Sequence, residues 1–448
     1  MSYEYNRYVV SDMCYRYGDR YVVSKNKFKR MLAKCVKELD EKYSMDRVID
    51  VYENTLKNNN IISGGFDESL PKKWNSRQKF YLILLLVMYP RYLIHCILYL
   101  IYDSNTREQY QFYLLDFVDP LPCYLSRVLN PMYLGAVTMS IITAFLTRKF
   151  ESDGQLDVCF DLYRSLRKSD ASRIVKLSQM AMYRYRVSIL IKVFMANMMR
   201  INCELTTPCI FFCGLILFHF KHESWIHTIL ALILVFGCSI NFVSIVVSQI
   251  ILNPLFVLIE VDYFTRRSKA IEHGVEQLLL QDFDRIRVES FTQIIDDFED
   301  FAGCLNKHNQ VIQHLIHIIV VCLCPIIGFS LPVLFLDLPF FAKLLLGSVI
   351  LVTDILLVSC QLYFGGLHTQ IQAIYFKFNS LMARLSKEKH INVRIKKRIR
   401  ENIKRMVCMK QPIGFTFGDG GPSFSKSKAL SVLSTTISLT LMVLKDVV

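Results

Sequence analysis

From residue 80 onward the chain alternates long apolar runs with charged segments. Windows of about 20 residues, the length a helix needs to cross a bilayer, pick out seven such runs: 80–102, 125–147, 201–219, 226–252, 312–335, 340–363 and 427–445. The segments between them keep a helical rhythm. Residues 150–200 place apolar side chains three and four apart with no Gly or Pro after Gly154, which predicts one long helix running into the third apolar run. Residues 253–311 do the same between the fourth and fifth runs, and 364–410 extend the sixth before a basic helix near 393–409. Phe291, Ile294, Ile295, Phe298, Phe301 and Leu305 form an apolar stripe that needs a packing partner. These extensions are therefore predicted to form a bundle rather than separate solvated loops.

Composition places the runs in a membrane. The 448 residues are 52% hydrophobic with a formal net charge of +14, and the apolar residues are bunched. Residues 1 to 30 are polar and tyrosine-rich with no signal-peptide core, so targeting is expected to rest on the first span. The Lys/Arg bias sets orientation. With the N-terminus inside, the outer loops 103–124, 220–225 and 336–339 hold only Arg107 and Lys221, whereas the inner segment 148–186 alone holds nine Lys/Arg. The predicted fold is an all-α membrane protein with seven transmembrane helices, a cytosolic N-terminus, an extracellular C-terminus and long cytosolic helix extensions forming an intracellular bundle. Its expected parts are a cytosolic region 1–78, a six-helix domain 79–363 with extensions 150–200 and 253–311, basic helices with a Gly-rich hinge at 364–426, and a last helix at 427–448. G-protein-coupled receptors also have seven spans but the opposite orientation, and only "DLPF" (337–340) joins runs five and six here. Of the fourteen cysteines, Cys96, Cys209, Cys213, Cys238, Cys322, Cys324 and Cys360 lie inside apolar runs, where Cys acts as a small hydrophobe.

Polar groups inside apolar runs are the candidate functional residues. Arg91 and His95 stand one turn apart in the first run and Asp354 lies in the middle of the sixth. A charge at that depth costs about 2.5–3.5 kcal/mol unless paired or wetted. Two readings stand side by side: a structural ion pair between Arg91 and Asp354, or a shared water-filled cavity that serves as a ligand pocket. Asn241 and Gln249 read as interhelical hydrogen-bond partners. The last run, "SVLSTTISLTLMVLK", carries Ser431, Ser434, Thr435, Ser438 and Lys445 at the spacing of one helical face. Those hydroxyls either bond back to the preceding turn, face another helix, or face water.

Before that run comes "PIGFTFGDGGPSFSKSKA", and together the two resemble the closing segment of the insect gustatory receptor family, within the odorant and gustatory receptor superfamily. Pro412, Phe415, Thr416 and Gly418 match the approach, and Thr436 matches the Thr of the family's Thr-Tyr. Ile437 stands where Tyr is usual, and Val443-Leu444 where Gln-Phe is usual. The resemblance implies a chemosensory receptor in the plasma membrane of sensory neurons. It would act as a ligand-gated, non-selective cation channel in which four like or related subunits surround a pore. Its partners would be a small-molecule tastant, the lipid bilayer, and copies of itself or related subunits. The lining would be Ser431, Ser434, Thr435, Ser438, Leu441, Met442, Val443 and Lys445, and the tastant pocket would lie among spans one to six, where Arg91, His95 and Asp354 are the candidates. Lys445 is expected to snorkel outward, since four copies turned inward would oppose cation entry. The alternative is a non-conducting scaffold or co-receptor of the same fold.

Other patterns carry less. His314 and His317 in "QHLIH" lack a converging third ligand, "CLCP" (322–325) reads as a proline kink, and "GDGGP" (418–422) lacks the Lys and Ser/Thr of a phosphate loop. The basic helix is expected to face lipid headgroups or the acidic Asp296, Asp297, Glu299 and Asp300 rather than nucleic acid. No catalytic residue, metal site or cofactor is expected.

Overall fold

A computed structural model describes residues 44–67, 76–101, 123–168, 171–222, 225–234, 240–281, 288–330, 340–387, 393–407, 413–414, 416 and 426–447. The described residues are mostly helical. In chain order the helices are α1 (Met45–Asn58), α2 (Ser76–Ile101), α3 (Cys123–Ser152), α4 (Asp157–Leu166), α5 (Ala171–Ile174), α6 (Gln179–His222) and α7 (Trp225–Leu234). They continue with α8 (Ile240–Leu280), α9 (Val288–Ser330), α10 (Phe340–Lys387), α11 (Val393–Val407) and α12 (Lys426–Val447). Pro412, Phe415, Gly418, the rest of 418–422, and 337–339 lie outside the described residues, as do the side chains of Asn241, Val443 and Leu444.

The centre of the molecule is α8. Every residue from Ile251 to Phe264 is buried, the sign of a helix enclosed on all sides. Its neighbours explain this: α3, α6, α9 and α10 all pack along it. At 1.5 Å per residue, α6, α8, α9 and α10, of 44, 41, 43 and 48 residues, are each about 60–70 Å long. Two segments among the described residues, Gln78–Leu98 and Ser244–Leu280, are long and apolar enough to cross a membrane by length and composition.

The stripe on α9 finds its partner inside the chain. Phe291, Ile295, Phe298, Phe301 and Leu305 are buried, with Phe298 edge-on to Phe378 of α10 at 5.3 Å and Phe301 edge-on to Phe264 of α8 at 6.1 Å. Such ring pairs favour this edge-to-face geometry. The basic helix α11 meets the acidic face of α9. Arg398 holds Asp296 at 2.6 Å and Glu299 at 2.7 Å, while Lys176 bonds Asp297 at 2.8 Å and Asp300 at 2.5 Å. The fourth predicted run is divided between α7 and α8.

Two expectations are corrected, and the simpler is 253–311, which is shared between α8, ending at Leu280, and α9, beginning at Val288. Residues 150–200 are not a single helix. The chain leaves α3 through Gly154 in the left-handed region (φ +69), with Gln155 N–H returning to the Phe150 carbonyl at 2.8 Å, the pattern that ends helices with glycine. It leaves α5 the same way through Lys176 (φ +53), with Leu177 N–H bonded to the Ser172 carbonyl at 3.0 Å. Ser178 Oγ then accepts from Ala181 N–H at 3.2 Å and starts α6. Lys176 carries no glycine to announce its turn, which is why the periodicity seemed unbroken.

A second feature sequence reasoning missed is the docking of α1. Tyr52 and Phe66 stack into an aromatic cluster with Phe160 and Tyr163 of α4, Phe66 lying 4.6 Å from the Tyr163 ring. Arg167 ties Asp50, Glu53 and Asp67 together. Ser63 N–H and Oγ donate to Glu151 Oε1 at 2.9 and 2.6 Å. Glu151 Oε2 in turn pairs with Arg148 at 2.7 Å, both side chains being buried.

Candidate functional site

The last helix is positioned from two sides. Its approach is latched by Thr416. The Thr416 N–H donates to Asn309 Oδ1 at 3.1 Å, Asn309 Nδ2 donates to Thr416 Oγ1 at 3.1 Å, and the Thr416 hydroxyl donates to Gln313 Oε1 at 2.8 Å. Both partners are on α9. Further along, α12 packs against α9 and α10, close enough that a Cβ added at Gly328 would lie 2.6 Å from Leu439 Cδ2. Glycine is what permits that approach.

Packing divides α12 into two faces. Thr436 and Thr440 are buried, and their hydroxyls turn back to the carbonyls of Val432 at 3.0 Å and Thr436 at 2.9 Å. Thr436, the residue shared with the gustatory family, is thus a packing residue. On the other face Ser431, Ser434, Thr435, Ser438, Leu441, Met442 and Lys445 are all exposed, with Leu441 61% and Met442 67% accessible. Thr435 also back-bonds, to the Ser431 carbonyl at 3.0 Å. Seven of the eight predicted lining residues therefore share the uncovered face; the side chain of the eighth, Val443, lies outside the described residues. Steps of three and four from 431 to 445 give a stripe of period 3.5, the spacing of a helix whose one face runs straight along its length.

The candidate ligand residues are more dispersed. Arg91 is half-buried and His95 buried, on α2; Asp354 is half-buried, on α10. Helix α2 packs on α3 and α8, α10 on α6, α8, α9, α11 and α12, and α2 and α10 are not among the helix pairs that share a packed seam. Among the described residues no ion pair joins Arg91 to Asp354, and Asp354 Oδ1 is buried without a hydrogen bond. A cavity of about 30 Å³ lies at the start of α2, among Asn60, Gln78, Tyr81, Arg148, Glu151 and Gln249. That is space for one water rather than a ligand. A larger one, about 340 Å³, opens between α8 and α9 beside Arg267, Gln277, Gln293 and Asp297. His314 lies tilted against Phe150, with the ring centres 5.7 Å apart.

The helix extensions carry a strong electrostatic frame. Asp262 accepts from Ser188 at 2.6 Å, Lys192 at 2.9 Å and Arg266 at 3.0 Å. Burial pushes its pKa upward, but Lys192 and Arg266 outweigh that and hold it below the usual value. Lys192 also lies over the Tyr363 ring at 4.4 Å. Deeper still, Cys159 of α4, Glu260 of α8 and His308 of α9 converge, all buried. His308 Nδ1 is 2.9 Å from Glu260 Oε2 and 3.6 Å from Cys159 Sγ. Burial pushes the Cys159 thiol up to about 11. Burial pulls His308 down, yet the neighbouring Cys159 and Glu260 raise it well above its ordinary value. These three residues come from segments far apart in sequence, and no spacing rule joins them; Glu260, set with Asp262 in the apolar "NPLFVLIEVDYF", was the one local cue.

The fold is similar over nearly the whole chain to the insect olfactory receptor OR5 from Machilis hrabei. With that protein in complex with eugenol the TM-score is 0.59 at 10% identity, covering 92% of this chain and 99% of the other. For a second structure of OR5 the values are 0.55 and 11%, covering 91% and 99%. No protein-family model and no curated protein matches the sequence.

Proposed function

We propose that this chain is a chemosensory receptor of gustatory type, a multi-pass membrane protein acting as a ligand-gated, non-selective cation channel. The observation that carries the reading is the uncovered stripe Ser431, Ser434, Ser438 and Leu441 on a helix otherwise clamped to α9 and α10. A face of hydroxyls followed by Leu441 and Met442, repeated around an axis, suits a narrow wet path with a hydrophobic constriction. The shared fold with an olfactory receptor solved with eugenol bound, and the resemblance at Thr416 and Thr436, support the chemosensory class. In this reading four subunits surround the pore in the plasma membrane of sensory neurons, with the N-terminus cytosolic and seven spans. A tastant pocket among spans one to six uses Arg91, His95 and Asp354.

The second reading, a non-conducting scaffold or co-receptor, is favoured by Ile437, 57% exposed where the family carries Tyr, and by Val443-Leu444. Patch clamp of cells expressing the chain, alone and with related subunits, across a tastant panel separates the two. The channel reading expects current that is blocked by thiol reagents in Ser438→Cys and Leu441→Cys. A detergent-purified monomer that never conducts under any pairing overturns it. Arg91→Ala and Asp354→Asn that leave surface expression and ligand response intact remove the pocket assignment.

A further inference from the structure

The cluster at Cys159, Glu260 and His308 plays no part in the proposed channel, and it has an unusual composition for a helix bundle interior. A thiol, a carboxylate and an imidazole, each buried, present one ligand atom apiece within 4.8 Å of one another. A hydrolytic reading fails on geometry. A nucleophile, base and orienting acid need the two ring nitrogens of the base to face opposite partners, whereas here the same Nδ1 faces both Cys159 Sγ and Glu260 Oε2. Burial of all three also leaves no room for a substrate.

A metal ion uses the same convergence productively. Bonds of about 2.3 Å to sulfur and about 2.0 Å to nitrogen at a tetrahedral angle place those two atoms about 3.5 Å apart, and Cys159 Sγ and His308 Nδ1 are 3.6 Å apart. The Glu260 oxygen, at 2.9 Å from Nδ1, needs to give by only about 0.4 Å. A second observation points the same way. Glu260 Oε1 is buried with no hydrogen bond of ordinary geometry, and the buried hydroxyls of Tyr163, beside Glu260, and of Tyr52, beside Tyr163, extend the polar cluster around it. A buried carboxylate oxygen left in that state is costly unless something else occupies the space beside it. Cys304, one turn before His308 on α9, faces the same imidazole.

We propose that Cys159, Glu260 and His308 bind one divalent transition ion of the zinc class, with the fourth position open to a water held near Tyr163. The donor set of soft sulfur, imidazole and carboxylate suits zinc rather than calcium or magnesium. With thiolate, carboxylate and neutral imidazole the site carries no net charge, which removes the cost of an isolated buried ion. The ion would join α4, α8 and α9, fastening the α4 segment to the central helix.

The test uses the full-length chain, produced in zinc- or cobalt-supplemented medium and purified in detergent. Elemental analysis is expected to find about one metal ion per chain, and the cobalt form is expected to show a sulfur-to-cobalt charge-transfer band. In Cys159→Ser both fall by about tenfold or more, while Cys360→Ser, at a buried cysteine elsewhere, keeps both. If Cys159→Ser does not fold, the wild-type content and band decide alone. A monodisperse wild-type protein with far less than one ion and no band overturns the proposal, as does a band that persists in Cys159→Ser.

Discussion

Gly328→Ala is the sharpest single perturbation of the seat of the last helix. The new Cβ would lie 2.6 Å from Leu439 Cδ2, 2.8 Å from Cγ and 3.3 Å from Cβ. Carbon atoms in ordinary contact sit about 3.5–4.0 Å apart, so the closest approach is short by roughly 1 Å. Leu439 can swing its Cγ and Cδ atoms aside, but its Cβ moves only with the backbone of α12. Overpacking of this kind costs about 1–3 kcal/mol. Leu439→Ala deletes the two closest atoms and leaves the 3.3 Å contact, so the double variant Gly328→Ala/Leu439→Ala should regain most of the loss caused by the alanine at 328. The coupling between the two sites is expected at about 1–2 kcal/mol. Apparent melting temperatures of the four proteins, read by fluorescence-detected size exclusion at one fixed heating time, complete the cycle. A Gly328→Ala protein that melts with the wild type, or a double variant that merely adds the two single effects, refutes the close packing of α9 on α12.

Three further outcomes follow from the bundle. Phe298→Ala, at a fully buried ring edge-on to Phe378, should cost about 3–5 kcal/mol, and Phe298→Leu distinctly less; a loss below about 0.5 kcal/mol, as at a surface site, would mean that the stripe on α9 is not packed. Arg167→Ala removes the hub of Asp50, Glu53 and Asp67, worth about 1–3 kcal/mol for hydrogen bonds to charged groups, and limited proteolysis after residue 67 should release α1 faster than in the wild type. Asp262, whose pKa is held down by Lys192 and Arg266, contributes stability that is fully present above the unfolded Asp value of about 3.9 and lost as pH falls through its lower folded value. Asp262→Asn should therefore flatten the acid limb of a melting-temperature profile below about pH 4 and lower the plateau above it.

Much of this architecture could be read from periodicity and charge. The stripe from Phe291 to Leu305 demanded a partner and found it in Phe264 and Phe378; the acidic group Asp296, Asp297, Glu299 and Asp300 demanded cations and found Arg398 and Lys176. The hydroxyl spacing in the last run marked the uncovered face of α12, because a helix packed on one side must sort its residues by angle. What stayed hidden depends on contacts between distant segments. A left-handed turn at Lys176 has no local mark, since lysine adopts it only where surrounding structure over-determines it. The docking of α1 rests on Tyr52 and Phe66 meeting α4 about a hundred residues later. The meeting of Cys159, Glu260 and His308 needs three helices to be placed first.

Helix α9 holds the closing segment twice, at Asn309 and Gln313 through Thr416, and at Gly328 through Leu439. From 309 to 328 is about 28 Å along the axis, so the closing segment, from Thr416 to Leu439, is tied to one stiff rod at two well-separated stations. A segment pinned once can pivot; pinned twice, it has to follow its rod. Any roll of α9 about its own axis would then carry the stripe from Ser431 to Lys445 with it.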